Sequence, residues 1–466
     1  MELDIRISGQ LAGTYASGPT SHDATFTYAS EYGNDPAATP LSISITPSGE
    51  APTNAHVDHF FKGLLPEGQR LDALARERGV NTGYTAALIE YIGRDTAGAI
   101  QATAAGEDPT TESGFIPVTE NELRSLISKT PTTKAGFNPG TEVRFTLAGQ
   151  QDKLALAMGD DGGFLIPTGN SPSTHILKPP HVEFPTLVHD EAVCMRAAAV
   201  IGLSTAETKL AAVGDSLCLL IERYDREKVN DHYVRIHQED LCQALGLSPV
   251  EKDDVTLAGI GQLLDEKLPR AAALSIKKSL LDAHAFNAAI GANDAHGKNF
   301  SLILNGNSVH LAPLYDVISV LRVQRDLAVV NSPVAIGGET LFRNLTREHW
   351  LAAARELGIN PDEALARVEH INSTAENAVL EAARQIELES MGLGFPNPGL
   401  VDSWREKLVE YRATARKGAV IAGPAARPAA PNILAAGGAS LVLCGKPTVD
   451  GSPCRRVGWC PFHQNH

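Results

Sequence analysis

The segments Asn293-Asp294-Ala295-His296-Gly297-Lys298-Asn299 and Leu314-Tyr315-Asp316 are the most informative part of this 466-residue sequence. Asp294 and Asn299 lie in one polar loop, and Asp316 follows after a short hairpin-like insert. A phosphoryl-transfer site needs such a set, because one carboxylate takes the proton of the attacking hydroxyl, while an amide oxygen and a second carboxylate hold magnesium on the phosphates. These segments therefore predict phosphoryl-transfer chemistry.

The surrounding pattern supports the same interpretation. The spacing from Asp294 to Asn299 is that of the protein-kinase catalytic loop, D-x-x-x-x-N. Residues 300–304 and 309–311 predict two short strands joined by an Asn-Gly turn, so that Asp294 and Asp316 flank a hairpin and converge on one metal ion. We therefore predict a kinase. Metal-dependent phosphoesterases also use an Asp-x-His start, but the further metal-binding segments that they need do not follow in this sequence.

The composition limits the classes of protein. The chain carries 40 basic and 55 acidic residues, for a net charge of −15, which argues against tight nucleic-acid binding by this chain alone. Hydrophobic residues make up 43% and charged residues 20%, as in globular proteins of two or three domains. No apolar run reaches the roughly 20 residues of a membrane span, and the N-terminus does not resemble a signal peptide. We expect a cytoplasmic protein with no membrane contact.

Periodicity and composition divide the chain into five parts. Alternating apolar residues, for example at 41–45, predict strands in the first part, and helices are predicted at 68–79, 84–93 and near 120–128. The parts are an N-terminal subdomain with a linker (1–140), a nucleotide-binding lobe (141–235), a helical catalytic lobe (236–416), a flexible Ala/Gly/Pro-rich linker (417–440) and a cysteine-rich tail (441–466).

Lys178 is the candidate phosphate-binding cation. It ends an apolar strand just before two prolines, where an ammonium group is well placed to hold phosphates as a point charge. Glu191, at the start of the next helix, is a candidate partner, although the helix dipole alone also favours a glutamate there. The loop at 148–153 contains one glycine and several donors, so both a phosphate cradle and a plain turn leading into a strand stay open.

Two further groups of residues have alternative interpretations. Glu222 and Tyr224 follow a strongly apolar strand, either where the chain crosses between lobes and meets adenine or in a salt-bridged turn. His296 supports the catalytic loop by hydrogen bonding or is simply structural, and Lys298 is a candidate contact of the γ-phosphate.

Eight segments, in this order, resemble the HipA-type serine/threonine kinases, the toxins of type II toxin–antitoxin pairs, over residues 1–395. Besides the two segments quoted first, they are LLPEG (64–68), IGRDTAGA (92–99), LAGQQDK (147–153), HILK (175–178), ERYDR (222–226) and HQED (237–240). The resemblance implies an α+β, two-lobed protein-kinase-like fold with an extra N-terminal α/β subdomain and a mostly helical C-terminal lobe.

The resemblance also implies roles for single residues. Asp294 would be the catalytic base, with Asn299 and Asp316 as magnesium ligands. Residues expected to bind ATP are Gly149, Gln151, Lys153, Lys178, Glu222, Tyr224, His296 and Lys298. Family members phosphorylate themselves on a serine just before the phosphate loop; here that position is Thr146, which can accept phosphate but leaves self-inactivation open.

The partners implied by the resemblance are a protein substrate and a small helix-turn-helix antitoxin, through which the chain would reach operator DNA. An aminoacyl-tRNA synthetase is one kind of family target. Two other functions stay open: a kinase-fold scaffold that represses transcription with an antitoxin, and a small-molecule kinase.

The tail departs from this family. Cys444, Cys454, Cys460 and His463 offer three thiolates and one imidazole, the ligand number of a structural tetrahedral zinc site. A tail this short cannot build a core, so the metal would supply its folding free energy. The alternative is a tail without metal whose thiols are free. The remaining cysteines are scattered among apolar neighbours and are expected to be reduced and buried.

Overall fold

The computed structural model describes residues 1–19, 23–107, 113–129, 153–230 and 232–415. The strands are β1 (Glu2–Ile7), β2 (Gln10–Ala16), β3 (Thr25–Tyr28), β4 (Ile100–Ala104), β5 (Gly114–Pro117), β6 (Leu154–Met158), β7 (Phe164–Thr168), β8 (His175–Lys178), β9 (Thr208–Val213), β10 (Ser216–Glu222), β11 (Arg226–Val229), β12 (His232–Arg235), β13 (His237–Asp240), β14 (Ser301–Asn305), β15 (Ser308–Leu311), β16 (Asn331–Ile336) and β17 (Glu339–Leu341). The helices are α1 (Ser30–Gly33), α2 (Asn54–Gly63), α3 (Gln69–Arg78), α4 (Thr85–Ile92), α5 (Glu120–Lys129), α6 (Leu187–Val200), α7 (Leu241–Leu245), α8 (Leu257–Lys267), α9 (Arg270–Ile290), α10 (Arg347–Glu356), α11 (Pro361–Gly392) and α12 (Leu400–Thr414).

The first unit is a four-stranded antiparallel sheet in the order β3-β2-β1-β4, covered by α2, α3 and α4. Leu3, Ile5 and Ile7 alternate along β1 and point into the core of this unit. The helices predicted at 68–79 and 84–93 are confirmed as α3 and α4.

The strand predicted at residues 41–45 is wrong. The segment forms only an isolated bridge between Ser42 and Ile45. Its apolar residues are buried, but side chains satisfy much of its backbone: Leu41 N donates to the Tyr28 hydroxyl at 2.7 Å, and Ile43 N donates to Glu239 Oε1 at 2.8 Å. The alternation therefore reflected burial against other elements rather than a position in a sheet.

The second sheet has the order β5-β7-β6-β8-β10-β9. Along β10, Leu219 and Ile221 belong to the cluster that contains α6, whereas Cys218 and Leu220 belong to the cluster that contains α5. The helix predicted near 120–128 is confirmed as α5. It is more than a linker, however, because β5 pairs with β7 and α5 packs on the sheet, so residues 114–129 are part of this layer.

The third unit is mostly helical. The long helix α11 packs against α6, α9, α10 and α12, and the core includes Trp350, Trp404 and Phe286. A small sheet, β13-β14-β15, contains the predicted hairpin, with Asn305 and Gly306 at its turn, so that prediction is confirmed. Among the described segments, no helix combines the length and the apolar character needed to cross a membrane.

Candidate active site

A cavity of about 590 Å³ lies where the N-terminal unit, the second sheet and the helical unit meet. Its volume is within the range of small-molecule sites. The N-terminal unit contributes Gly63, Glu67 and Ala97, the second sheet contributes Lys153, Lys178 and Tyr224, and the helical unit contributes Asp294, His296, Lys298, Asn299 and Asp316. Residues from all three units therefore form the wall of one site.

Lys178 is the central cation of the cavity. It ends β8, only 4% of its surface is exposed, and its Nζ lies 2.6 Å from Glu191 Oε1 on α6 and 2.5 Å from Asp316 Oδ1. The contact with Glu191 that the sequence suggested is therefore present. Burial alone would lower the pKa of Lys178, but Asp316 and Glu191 raise that pKa above its ordinary value. The group is thus a fixed positive charge.

Asp316 follows β15 in an unusual backbone conformation. Its φ is +57°, in the left-handed region that non-glycine residues rarely adopt. Burial opposes ionisation of this carboxyl group, but Lys178 and then Lys153 lower its pKa to about 2. Burial and Lys178 in turn lower the pKa of Lys153 to about 8, although Asp316 opposes this shift. Asp316 is therefore a carboxylate at neutral pH.

The loop after α9 presents Asp294 to the cavity. The Asp294 side chain is 55% exposed, its backbone oxygen accepts a hydrogen bond from Asn299 Nδ2 at 2.7 Å, and His296 Nε2 lies 3.6 Å from its Oδ1. A 3₁₀ turn over Gly297–Asn299 brings the amide back to the aspartate. Partial burial in the cavity, and secondarily the charge of Asp316, raise the pKa of Asp294, while His296 opposes this shift.

Lys298 also lines the cavity, but its ammonium already has protein partners. Its Nζ donates to Gly63 O at 3.1 Å and to Asp240 Oδ2 at 3.0 Å, and Glu67 Oε1 lies 3.8 Å away. These groups stabilise a buried cation and join the loop to the N-terminal unit. The expected contact of Lys298 with a phosphate stays a prediction.

The ligand atoms that Asp294, Asn299 and Asp316 offer are suited to magnesium. They are carboxylate and amide oxygens, and all three residues line one small recess that shares these residues with the cavity. Because Asn299 Nδ2 donates to the Asp294 backbone oxygen, the carbonyl oxygen of Asn299 would be the atom that faces a bound ion. Among the described residues no group of three or more His, Cys, Asp or Glu side chains is arranged to hold a metal ion. A kinase site needs no such group, because phosphate oxygens and water complete its coordination.

The other end of the cavity is more apolar and aromatic. Glu222 is exposed at the end of β10, and Tyr224 stacks on Tyr315 with ring centroids 5.7 Å apart. The Tyr224 hydroxyl donates to Gln238 Oε1, and the Tyr315 hydroxyl donates to Lys298 O at 2.7 Å. Gln238 and Tyr315 were not singled out from the sequence as site residues, although both lie in quoted segments.

Several predicted residues lie outside the described part of the chain. They are Gly149 and Gln151 of the phosphate loop, Thr146 before it, and the candidate zinc ligands Cys444, Cys454, Cys460 and His463. Cys194, Cys218 and Cys242 are described, and they are free and buried as expected.

Two family models match the chain: the HipA N-terminal domain over residues 3–103 and the HipA-like C-terminal domain over residues 145–379. Y4mE of Sinorhizobium fredii is 33% identical over 404 residues, which cover 83% of this chain and 94% of Y4mE. The serine/threonine-protein kinase toxin HipA of Shewanella oneidensis is 33% identical over 325 residues, which cover 66% of this chain and 74% of that protein.

A solved structure, the toxin–antitoxin complex of HipA, HipB and operator DNA from Shewanella oneidensis MR-1, has a similar chain with a TM-score of 0.70 and 25% identity. The match covers 88% of this chain and 99% of that chain. It confirms the predicted α+β kinase-like architecture with an extra N-terminal unit. Together with the two family matches, these relatives show that the chain belongs to the HipA family of kinases.

Proposed function

We propose that this protein is an ATP- and magnesium-dependent serine/threonine protein kinase that acts as the toxin of a toxin–antitoxin pair. The observation that carries the proposal is the contact of Lys178 with Glu191 and Asp316 in a cavity that also contains Asp294 and Asn299. This is the set of charges that phosphoryl transfer requires: a cation for the phosphates, oxygen ligands for magnesium, and a carboxylate for the acceptor hydroxyl.

Each residue has a role that its surroundings support. Lys178 would hold the α- and β-phosphates, and Lys153 would add a second positive charge next to it. Asp294 would accept the proton of the substrate hydroxyl; its raised pKa makes it a stronger base than an ordinary aspartate. Asn299 and Asp316 would hold magnesium, which when bound neutralises charge on the phosphates.

The expected partners follow from the relatives. The related Shewanella oneidensis HipA occurs in a complex with HipB and operator DNA, so we infer a helix-turn-helix antitoxin for this chain. The net charge of −15 supports DNA contact through the antitoxin rather than through this chain. For the phosphorylated protein we propose a component of translation, such as an aminoacyl-tRNA synthetase, as the family resemblance implies.

The test is transfer of label from radioactive ATP to protein serine or threonine, in the presence of magnesium and a bacterial lysate as acceptor. We expect Asp294→Ala to lower transfer by about 10³-fold or more, because the base and its loop act only in the transition state. Asp215→Ala is the control, since Asp215 is an exposed residue in the turn between β9 and β10. Equal labelling by wild type and Asp294→Ala would refute the proposal.

The same experiment separates the alternatives. ATP binding by the wild type without any transfer would support a kinase-fold scaffold that represses transcription with its antitoxin. Label that appears only in small molecules of the lysate would support a small-molecule kinase. Serine or threonine labelling that requires Asp294 and magnesium would exclude both.

A further inference from the structure

A buried charge cluster joins the N-terminal unit to the chain that follows β10. We propose that Asp95 and Gly98 of the N-terminal unit are positioning residues for the base side of the nucleotide cavity. The inference rests on the proposed function, because it assumes that the adenine base lies at the apolar end near Tyr224. It adds a role for the N-terminal unit in nucleotide affinity.

Asp95 is the acidic centre of the cluster. Its Oδ1 accepts hydrogen bonds from Arg226 Nη2 at 2.9 Å and Arg235 Nη2 at 3.5 Å, and its Oδ2 accepts one from Ser173 N at 3.0 Å. Arg223 Nη1 lies 3.7 Å from the same carboxylate. Burial opposes ionisation, but the three guanidinium groups hold the pKa of Asp95 well below its usual range. The carboxylate is therefore a fixed charge, because the buried arginines require it.

Residues 95–98 form a turn of the N-terminal unit that contains Asp95. This turn also binds the residues on either side of Tyr224. Arg223 Nη2 donates to Thr96 O at 2.8 Å and, with its Nε, forms two hydrogen bonds to Asp225. Asp225 Oδ2 in turn accepts a hydrogen bond from Gly98 N at 2.7 Å. Tyr224, which lines the cavity, thus lies between two residues anchored to the N-terminal unit.

Gly98 brings the turn into close contact with Gln238 in the cavity wall. Its φ is +74°, and a Cβ at this position would lie 2.8 Å from Gln238 N and 3.0 Å from Gln238 O. Gln238 lines the cavity, and so does Ala97, next to Gly98 in the turn. A side chain at position 98 would therefore have to displace the backbone of one wall of the cavity or the turn itself.

The two ends of the cavity draw on different positions of β8. Ile176 and Lys178 lie two positions apart on β8 and both line the cavity. Ile176 pairs with Ile221 near the end of β10, whereas Lys178 contacts Asp316. Thr96 and Gly98 hydrogen-bond to the residues that flank Tyr224, whereas the hydrogen bonds of Lys178 are with Glu191 and Asp316. We therefore expect a displacement of the turn to change recognition of the base more than that of the phosphates.

The experiment compares Gly98→Ala with Gly79→Ala. Both glycines belong to the N-terminal unit and have similar left-handed conformations, with φ of +74° and +71°, but nothing lies within 4 Å of a Cβ built at Gly79. A side chain meets a positive φ at both positions, but only at Gly98 does it also meet the cavity wall. Affinities for ADP and for tripolyphosphate, both with magnesium, are measured by titration calorimetry on the full chain.

We expect Gly98→Ala to weaken ADP binding by about tenfold, because small displacements of a positioning group are costly. The affinity for tripolyphosphate should stay within about twofold of wild type, and Gly79→Ala should change neither affinity by more than about twofold. Asp95→Asn gives an independent test and should show the same selective loss. Its control is Asp282→Asn, at a carboxylate that is also buried and paired with an arginine, Arg367, but lies outside the cavity wall.

Two results would overturn the inference. Unchanged ADP affinity in folded Gly98→Ala or Asp95→Asn would mean that the turn does not position the base side. Equal losses for ADP and tripolyphosphate would indicate general loosening of the fold. Failure of the wild type to bind ADP would instead refute the proposed function, so the two failures are distinguishable.

Discussion

Replacing Lys178 by methionine would leave two carboxylates facing each other. Lys178 Nζ lies 2.6 Å from Glu191 Oε1 and 2.5 Å from Asp316 Oδ1, so these oxygens are at most about 5 Å apart. Methionine keeps most of the apolar stem of lysine, and the packing loss is therefore small. The main effect of the substitution is the loss of the positive charge between the two acids.

The magnitude follows from that distance. Two unit charges about 5 Å apart repel each other by about 3 kcal/mol at an effective dielectric constant of about 20. The Asp316 side chain is 33% exposed, and Lys153 interacts with both acids, so we reduce this figure to about 2 kcal/mol. We therefore expect Lys178→Met to lower the free energy of unfolding by about 2 kcal/mol at neutral pH.

The loss should depend on pH. Burial raises the pKa of Glu191 above its ordinary value, Lys178 opposes that rise, and Asp316 adds to it, so removing Lys178 raises the pKa further. A carboxyl group with a raised pKa in the folded protein costs stability above its unfolded pKa; the cost shrinks as the pH falls below the folded pKa and is gone below the unfolded pKa. The deficit of the variant should therefore be larger at about pH 8 than at about pH 5.

The assay is urea unfolding followed by circular dichroism at both pH values. Adding Glu191→Gln to Lys178→Met should restore most of the lost stability, because it removes one of the two facing charges, but it should not restore phosphoryl transfer. Lys277→Met is the matched control: Lys277 is also buried and contacts Asp265 at 2.6 Å, but that carboxylate is 59% exposed and would be left in solvent. Lys277→Met should therefore create no repulsion between facing acids. A deficit below about 0.5 kcal/mol at pH 8, or no recovery in the double variant, would refute the reasoning.

Three other outcomes are expected. Transfer should decline as the pH falls through the pKa of Asp294, which burial and Asp316 raise, so the acid limb of the kcat/KM profile should lie above the ordinary carboxyl pKa of about 4. Lys298→Met removes the hydrogen bond to Gly63 O and should slow transfer by about tenfold, with faster hydrogen exchange at the end of α2. Burial raises the pKa of Glu239 from 4.5 to about 8, so wild type should lose stability relative to Glu239→Gln as the pH rises through that interval, by about 1 kcal/mol or more in the urea midpoint comparison.

Much of the candidate site could be predicted from local sequence. Asp294 and Asn299 share one loop, in which a short turn brings the Asn299 side chain back to the Asp294 backbone oxygen. Lys178 ends a strand and Glu191 lies in the first half of the next helix, so their contact depends on one strand–helix connection. Chemistry carried by such short segments is readable, because residue type and spacing already specify which groups meet.

The wall of the cavity could not be predicted in this way. Gly98 and Asp225 are 127 residues apart in the chain, yet they form a hydrogen bond of 2.7 Å. No periodicity or spacing in the sequence indicates that the turn at 95–98 of the N-terminal unit binds the residues that flank Tyr224. Its glycine and aspartate, taken alone, also suit an ordinary surface turn.

The strands show the same difference between what local sequence indicates and what distant contacts decide. Along β1 the alternation of apolar residues does correspond to a strand, because a sheet with one covered face imposes a period of two. The same alternation at residues 41–45 misled, since those residues are buried by contacts with β13 and Tyr28, which supply the hydrogen-bond partners that a neighbouring strand would otherwise supply. Residue chemistry along the chain thus specified the elements and the reactive groups. Only the packing of distant segments decided which backbone groups found partners in a sheet and how the N-terminal unit closes one end of the cavity, because burial and hydrogen bonding are satisfied by the whole fold.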